Sequence, residues 1–231
     1  MKITHALLSH DFPEVRTFVV GQTEMQNPLE HLQKVIDASC VMHPQQTHSD
    51  HIAEVSADNC NSEFTDTDAL VTTIPGIAIG VVTADCVPVL IYDHENKIVA
   101  AVHAGWRGTV HRLVEKVLHH ISAKGAKPHN IYAYIGVSIS KENYEVGEEV
   151  VKQFADAGFN PHTIGSKHPE TGKFHIDLRE ANKQMLLSAG IPEDHIMVSE
   201  TCTYSSPHFY SARRDGIETG RNFTGIMLRK R

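Results

Sequence analysis

Two neighbouring segments of the chain end in residue types that can carry chemistry. Residues 83–88 (TADCVP) place Cys86 after a carboxylate at the end of an apolar run. Residues 101–109 (AVHAGWRGT) end a second apolar run with His103, the only tryptophan of the chain and Arg107. A thiol paired with an imidazole allows two chemistries, because the thiolate can act as a nucleophile or bind a metal ion. These two segments alone leave both open.

A third group of side chains extends the metal interpretation. His48 follows a short apolar segment, within a polar cluster that also contains His43 and His51 as competing candidates. His48, Cys86 and His103 would form a two-histidine, one-cysteine set, which leaves a fourth zinc position open for water or substrate. Their spacing is not a local zinc signature, so spacing alone does not select this set.

Basic residues beside predicted turns indicate an anion site. The helix expected from Thr109 would present unpaired N–H groups and a positive dipole end, and Arg107 lies next to it. That combination suits phosphate or carboxylate, although Arg107 could instead form a structural ion pair. Residues 209–221 (FYSARRDGIETGR) are equally consistent with a solvated turn and with a basic rim for an anionic or polar substrate.

Bulk composition limits the class of function. The 231 residues carry a net charge of −7 with scattered basic residues, which argues against nucleic-acid binding. No apolar run reaches the roughly 18–20 residues needed to cross a bilayer, and the first residues do not resemble a signal peptide. The four cysteines lack C-x-x-C spacing and are typical of reduced thiols. We therefore expect a cytoplasmic protein without nucleic-acid or membrane partners, and its oligomeric state stays open.

Strands and helices must position these groups. Near-continuous apolar runs predict strands buried on both faces, at 77–83, 87–92 and 98–103. Further predicted strands are 15–22, 131–136, 195–200, 209–211 and 223–228. Predicted helices are 28–38, a helix from Thr109 to a stop at Gly125, 145–154 and 178–189. Residues 160–174 are expected to form an exposed loop over one edge of the site. No linker divides the chain, so we predict one α+β (mixed α/β) layered domain over residues 1–231.

Taken together, these segments resemble the YfiH/laccase-domain family. The matching motifs are QTH (46–48), TDALV (67–71), TADCVP (83–88), AVHAGWRGT (101–109), YEVG (144–147), DL (177–178), AN (181–182), CT (202–203), FYSARRDG (209–216) and TGR (219–221). The family, once labelled multicopper polyphenol oxidases, is described as zinc-dependent purine nucleoside phosphorylases with adenosine deaminase activity. The resemblance implies a layered β core covered by helices, similar to that of cysteine-hydrolase-like deamidases.

The resemblance also implies a site. His48, Cys86 and His103 would bind zinc, with copper as an alternative in vitro because it binds such ligands more tightly. The implied substrates are adenosine, inosine, guanosine and methylthioadenosine, with phosphate as the second substrate of phosphorolysis. Cys86 and His103 would lie at the catalytic centre, and Arg107 is the candidate for holding phosphate. Zinc lowers the pKa of bound water, which suits deamination.

Other functions stay open on the residues. Cys86 as nucleophile and His103 as base would make a metal-free cysteine hydrolase or amidase. A role in removing incorrect peptidoglycan precursors and a non-catalytic binding role are further alternatives. We do not expect polyphenol oxidase activity, because the sequence has no H-x-H pair and three ligands cannot hold a trinuclear copper cluster. The chain departs from the family over residues 1–45, which lack its glycine-rich, arginine-containing opening, and at residues 136–140 (GVSIS), where its usual proline is replaced.

Overall fold

Three β-sheets carry the fold of the computed structural model, which describes residues 12–25, 27–60 and 62–230 and the backbone of residues 3–5. The strands are β1 (Ile3–His5), β2 (Val15–Val20), β3 (Cys40–Met42), β4 (Ile52–Glu54), β5 (Ala69–Thr72), β6 (Ile77–Thr83), β7 (Val87–Asp93), β8 (Ile98–Ala104), β9 (Ile131–Ile135), β10 (Glu145–Val146), β11 (Gly165–Lys167), β12 (Phe174–Ile176), β13 (Ile196–Val198) and β14 (Asn222–Leu228).

The two larger sheets mix parallel and antiparallel pairs. The five-stranded sheet has the order β1-β2-β14-β6-β3, and the six-stranded sheet has the order β13-β9-β7-β8-β5-β4. A separate small sheet has three strands in the order β10-β12-β11. The chain therefore changes from one large sheet to the other between β3 and β4, between β5 and β6, between β6 and β7, and between β13 and β14.

Helices cover the outer faces of the two large sheets. They are α1 (Pro28–Val35), α2 (Trp106–Val110), α3 (Leu113–Ser122), α4 (Glu148–Asp156), α5 (Pro161–Ile164), α6 (Leu178–Ser188) and α7 (Ala212–Asp215), with 3₁₀ turns at Pro128–Asn130, Lys141–Asn143 and Glu193–His195. None of the helices in the described part of the chain is long and apolar enough to cross a membrane.

Strand β8 shows why the predicted apolar runs are continuous. Val99 and Ala101 pack in the core between the two large sheets, whereas Ala100 and Val102 pack in the core that includes α3 and α6. Helix α1 covers the other face of the five-stranded sheet through Leu32. The layers are therefore helix, sheet, sheet and helix, which confirms the predicted layered β core covered by helices.

One predicted strand and one predicted loop are wrong. Residues 209–211 form no strand, because the side chain of Asn222 accepts from the Tyr210 N–H and donates to the Tyr210 carbonyl. These contacts replace the bonds of a strand ladder. Residues 160–174 are not simply a loop, because they contain α5 and β11, and β11 pairs with β12.

Two predicted helices begin or break elsewhere. The helix expected from Thr109 begins at Trp106 and is interrupted at Arg112, which has a φ of 59°. The Arg112 guanidinium donates to Glu115 and to the Ala157 carbonyl, which holds this break in place. In the segment 145–154, the first two residues form β10 and the helix α4 starts only after Gly147.

Candidate metal centre and its cavity

The three candidate metal ligands meet where the two large sheets separate. His48 lies on the β3–β4 connection and Cys86 on the β6–β7 connection, both of which cross between the sheets. His103 is in β8, and the antiparallel register pairs Val87 with Ala104. The start of β7 therefore lies beside the end of β8, which brings Cys86 and His103 together. Strand pairing thus produces a proximity that the spacing of the residues does not reveal.

A buried carboxylate, Asp68, orients both candidate histidines. The His103 ring donates from Nδ1 to Asp68 Oδ1 at 2.6 Å, and the two side chains are 4% and 0% exposed. Because the carboxylate accepts, His103 Nε2 is left as the nitrogen that can bind a metal. Asp68 also accepts from the main-chain N–H groups of Thr47, His48 and Ser49 at 3.2, 3.2 and 2.7 Å. These bonds fix the turn in which His48 adopts a φ of 62°.

The ligand atoms are close enough to share one ion. The nitrogen and sulfur atoms of His48, Cys86 and His103 all lie within 4.8 Å of one another. Space for them depends on Gly105, because a Cβ atom there would lie 2.9 Å from Cys86 Sγ and 3.5 Å from His48 Cδ2. Two imidazoles and a thiolate are donors that zinc and copper bind well, so the residues fit a metal ion of this kind.

The electrostatics of the site favour a thiolate. Burial opposes ionisation of Cys86, but the imidazoles of His103 and His48 outweigh it and lower the pKa of the thiol to about 6. Burial would lower the pKa of His103, yet Cys86 and Asp68 raise it to about 9. For Asp68, hydrogen bonds from His103 and Ser49 overcome burial and lower the pKa to about 2. Without a metal the site therefore holds a thiolate beside an imidazolium, and a bound cation would take the place of the imidazolium proton.

A cavity of about 550 Å³ opens onto this group. Its volume is within the usual range of small-molecule sites. The lining residues are His43, Pro44, Gln45, Gln46, His48, Val82, Thr83, Ala84, Asp85, Cys86, His103, Ile139, Tyr144, Ala212, Arg213, Ile217 and Arg221. Gln46 holds one wall in place, because its amide exchanges two hydrogen bonds of 2.8 Å with the main chain of Val82.

The other residues predicted from the sequence have different places. His43 lines the cavity with His48, whereas His51 does not, and its ring contacts Asp66. Arg107 is exposed in the first turn of α2, and its guanidinium lies 4.4 Å from the Trp106 ring centroid. It is not part of the cavity wall.

Two further residues near the site, Asp68 and Tyr144, lie within matching motifs that carried no assigned function. The segment 209–221, for which a basic rim was one of two interpretations, supplies Arg213 and Arg221 to the cavity wall. Tyr144 is half-buried, and burial together with Cys86 raises the pKa of its hydroxyl. That hydroxyl therefore keeps its proton at neutral pH and can donate a hydrogen bond.

Comparison with known proteins shows clear relatives. Residues 22–229 match the family model described as "Multi-copper polyphenol oxidoreductase laccase". "Adenosine deaminase RL5" from an unknown prokaryotic organism is 43% identical over 203 residues, which are 84% of this chain and 78% of that protein. "Purine nucleoside phosphorylase" from Bacteroides thetaiotaomicron is 46% identical over 165 residues, which are 71% of this chain and 61% of that protein.

The fold is also that of a solved structure. The crystal structure of Bacillus licheniformis hypothetical protein YfiH superposes with a TM-score of 0.86 at 26% identity, covering 95% of this chain and 94% of that chain. Both comparisons include residues before Gln46, where the recognisable motifs begin.

Proposed function

Because this chain belongs to the family described as multi-copper polyphenol oxidoreductase laccase, we propose that it is a zinc-dependent purine nucleoside phosphorylase that also deaminates adenosine. The observation that carries the proposal is the group His48, Cys86 and His103 in the wall of a cavity of small-molecule size. The names of the relatives supply the substrate class. Purine nucleosides and phosphate would be the partners of the site.

Zinc suits this donor set. Catalytic zinc sites keep three protein ligands and one open position, and a carboxylate behind a ligating histidine is a common support. Asp68 stands in that relation to His103. When bound, the ion would supply Lewis acidity and activate water near neutral pH.

The two proposed reactions differ in what attacks the nucleoside. In deamination, water adds at C6 of adenosine and the amino group leaves as ammonia. In phosphorolysis, a phosphate oxygen bonds to C1′ of the ribose while the bond from C1′ to the base nitrogen breaks. Tyr144, which lines the cavity, would donate a hydrogen bond to substrate, and Cys86 and His103 would lie at the catalytic centre. Arg107, the sequence-based candidate for holding phosphate, lies outside the cavity wall.

The family description names a multicopper oxidase. A multicopper oxidase needs several copper sites, including a cluster of three ions. In the described ranges of the chain, His48, Cys86 and His103 are the one group of three donors close enough to share an ion. We therefore base the proposal on the names of the relatives and on a single metal rather than on oxidase chemistry.

A cysteine hydrolase is the second candidate, and one observation favours it. The thiol of Cys86 contacts the ring of His103, and that ring in turn bonds to Asp68. This is the arrangement of nucleophile, base and orienting carboxylate in thiol hydrolases. The third donor, His48, is the feature that such a hydrolase does not need. Its presence within 4.8 Å of the other two ligand atoms favours the metal site.

Metal analysis separates the two candidates. For protein purified without added metal, we expect about one zinc per chain, and loss of that zinc in His48→Ala. His51→Ala is the matched control, because His51 lies three residues away and does not line the cavity. Absence of zinc together with rapid alkylation of Cys86 would support the hydrolase.

A nucleoside screen then tests the activity. Metal-replete protein is incubated with adenosine, inosine and guanosine, each with and without inorganic phosphate. Release of free base only with phosphate indicates phosphorolysis, and release of ammonia from adenosine without phosphate indicates deamination. If neither product forms, the proposed function is wrong.

A further inference from the structure

Two adjacent arginines of α7 use their guanidinium groups differently. Arg214 donates to both carboxylate oxygens of Asp215, at 2.8 and 2.7 Å. It also donates to four main-chain carbonyls, those of Thr203, Tyr204, Ser206 and Phe209. A guanidinium has five N–H donors, so the donors of Arg214 are fully engaged in holding the chain.

Arg213 has unused donors and lines the cavity. Its guanidinium donates to the Glu145 carbonyl at 3.0 Å and to the Asn143 carbonyl at 3.5 Å. It lies 5.4 Å from the ring centroid of Tyr144, and no carboxylate pairs with it among the residues that the structure describes. Within the described residues, three of its five donors therefore have no protein acceptor. A full positive charge with free donors on a cavity wall is suited to an anion.

The other nearby arginines are less suited to this role. Arg221 also lines the cavity, but it donates to carbonyls of its own loop, those of Ile217, Thr219 and Gly220. Arg107 lies against Trp106 and is not part of the wall. Of the cavity's arginines in the described ranges, Arg213 thus offers the most free donors.

The buried carboxylate of Asp85 links the backbone of Arg213 to the turn that carries Cys86, a candidate metal ligand. The main-chain N–H of Arg213 donates to Asp85 Oδ2 at 2.7 Å, and Thr203 donates from Oγ1 to Asp85 Oδ1 at 2.6 Å. Asp85 is 7% exposed and directly precedes Cys86. Its φ of 95° is rare for a residue other than glycine, and these bonds hold it in that conformation. The position of Arg213 therefore depends on the same turn that presents Cys86.

We infer that Arg213 binds the phosphate used in phosphorolysis, and that Asp85 is a positioning residue that holds Arg213 at the cavity. This inference rests on the proposed function. A hydrogen phosphate dianion donates an oxygen electron pair to C1′, and the electrons of the broken bond stay on the purine nitrogen. The proton of hydrogen phosphate ends on that nitrogen, so the products are free base and ribose 1-phosphate with charge conserved.

Calorimetric titration with inorganic phosphate tests the inference without any nucleoside chemistry. We expect the wild-type holoenzyme to bind phosphate and Arg213→Gln to bind it about 10- to 100-fold more weakly, as expected for loss of charged hydrogen bonds. Arg107→Gln and Arg221→Gln are the matched comparisons and should weaken binding much less. Equal binding by wild type and Arg213→Gln, or no binding by wild type, overturns the inference. So does a larger loss in Arg107→Gln.

Kinetics provide the second arm. With inosine and phosphate, Arg213→Gln should raise the KM for phosphate by about 10- to 100-fold, and the rate of phosphorolysis should fall more than the rate of adenosine deamination. An equal fall in both rates would assign Arg213 to nucleoside binding or to folding and overturn the inference. If wild type binds phosphate at Arg213 but releases neither base nor ammonia, the proposed function fails while the phosphate site stands.

Asp85→Gly tests the positioning role. Glycine adopts the φ of 95° without strain but has no oxygen to accept from the Arg213 N–H, so the KM for phosphate should rise with a smaller change in kcat. Zinc content and melting temperature, measured in parallel, identify a variant that is simply misfolded. A fall in kcat at unchanged phosphate KM, with zinc retained, would contradict the positioning role.

Discussion

Replacing Asp68 by Asn is expected to weaken zinc binding while leaving the protein folded. The carboxylate accepts five hydrogen bonds, from His103, from Ser49 twice, and from the main chain of Thr47 and His48. Three of these donors share Oδ2. An Asn amide has only one accepting oxygen, so whichever group of donors faces its NH₂ loses its acceptor.

The magnitude follows from the role of such supporting groups. Loss of a carboxylate behind a ligating histidine costs about 10- to 100-fold in metal affinity, which is about 1.4 to 2.8 kcal/mol. Asp68 supports the ring of His103 and also the backbone of His48, so we expect the effect to lie toward the upper end of that range. The turn that carries His48 should also loosen, because its φ of 62° depends on these bonds.

Zinc affinity is measured by competition with a coloured chelator, and the melting temperature is recorded without metal. Asp66→Asn is the matched control, because Asp66 bonds to Thr47 and His51 of the same loop but does not contact His103. Equal zinc affinity of Asp68→Asn and wild type would refute the idea that this carboxylate orients the ligands. An equal loss in Asp66→Asn would assign the effect to the loop as a whole.

Three further predictions concern single positions. Gly105→Ala should lower the zinc bound per chain with little loss of stability. The φ of −63° suits alanine, and the three atoms nearest the added Cβ belong to Cys86 and His48. Normal zinc content would contradict this prediction. Glu14→Gln should lower the melting temperature near pH 6, an effect that disappears as the pH falls toward 2. The hydrogen bond from Lys97 lowers the pKa of Glu14 to about 2. The ionised Glu14 therefore stabilises the folded protein above pH ~4.3, and this contribution is lost as the carboxylate of the folded protein becomes protonated. This partly exposed pair should contribute at most about 1 kcal/mol, and a pH-independent difference would be inconsistent with it. Arg179→Met should lower the free energy of unfolding, measured in urea, by about 3 kcal/mol. The buried guanidinium donates four hydrogen bonds, and in the variant the acceptors of these bonds would have no donor. A change below about 1 kcal/mol would contradict this prediction.

The buried strands could be predicted because a strand that is covered on both faces consists almost entirely of apolar residues. Strands β6, β7 and β8 are covered on both faces, so each is a nearly unbroken apolar run and its bounds follow from the sequence. The error at 209–211 has a different origin. The segment has strand-like residues, but its backbone bonds go to the side chain of Asn222, twelve positions away. The residues around Tyr210 do not indicate that its backbone bonds to a side chain so far along the chain.

The site was predictable only in part for the same reason. Cys86 and His103 stand at the ends of apolar runs, where reactive side chains are conspicuous. Asp68 acts through residues 20 and 35 positions away, so nothing in its own neighbourhood indicates that it holds two histidines. Arg213 and Arg214 are identical in type and adjacent, and only their acceptors in the folded chain distinguish them.

The crossing points between the two large sheets have a consequence for the lifetime of the protein. An ion bound by His48, Cys86 and His103 would join two of these connections, β3–β4 and β6–β7, to β8 and so fasten the sheets to each other. Such an ion binds only the docked arrangement, so each tenfold rise in free zinc above the dissociation constant adds about 1.4 kcal/mol to stability. Resistance of the two connections to proteolysis should then follow the supply of zinc. Metal availability would set how long each folded copy survives as well as how fast it works.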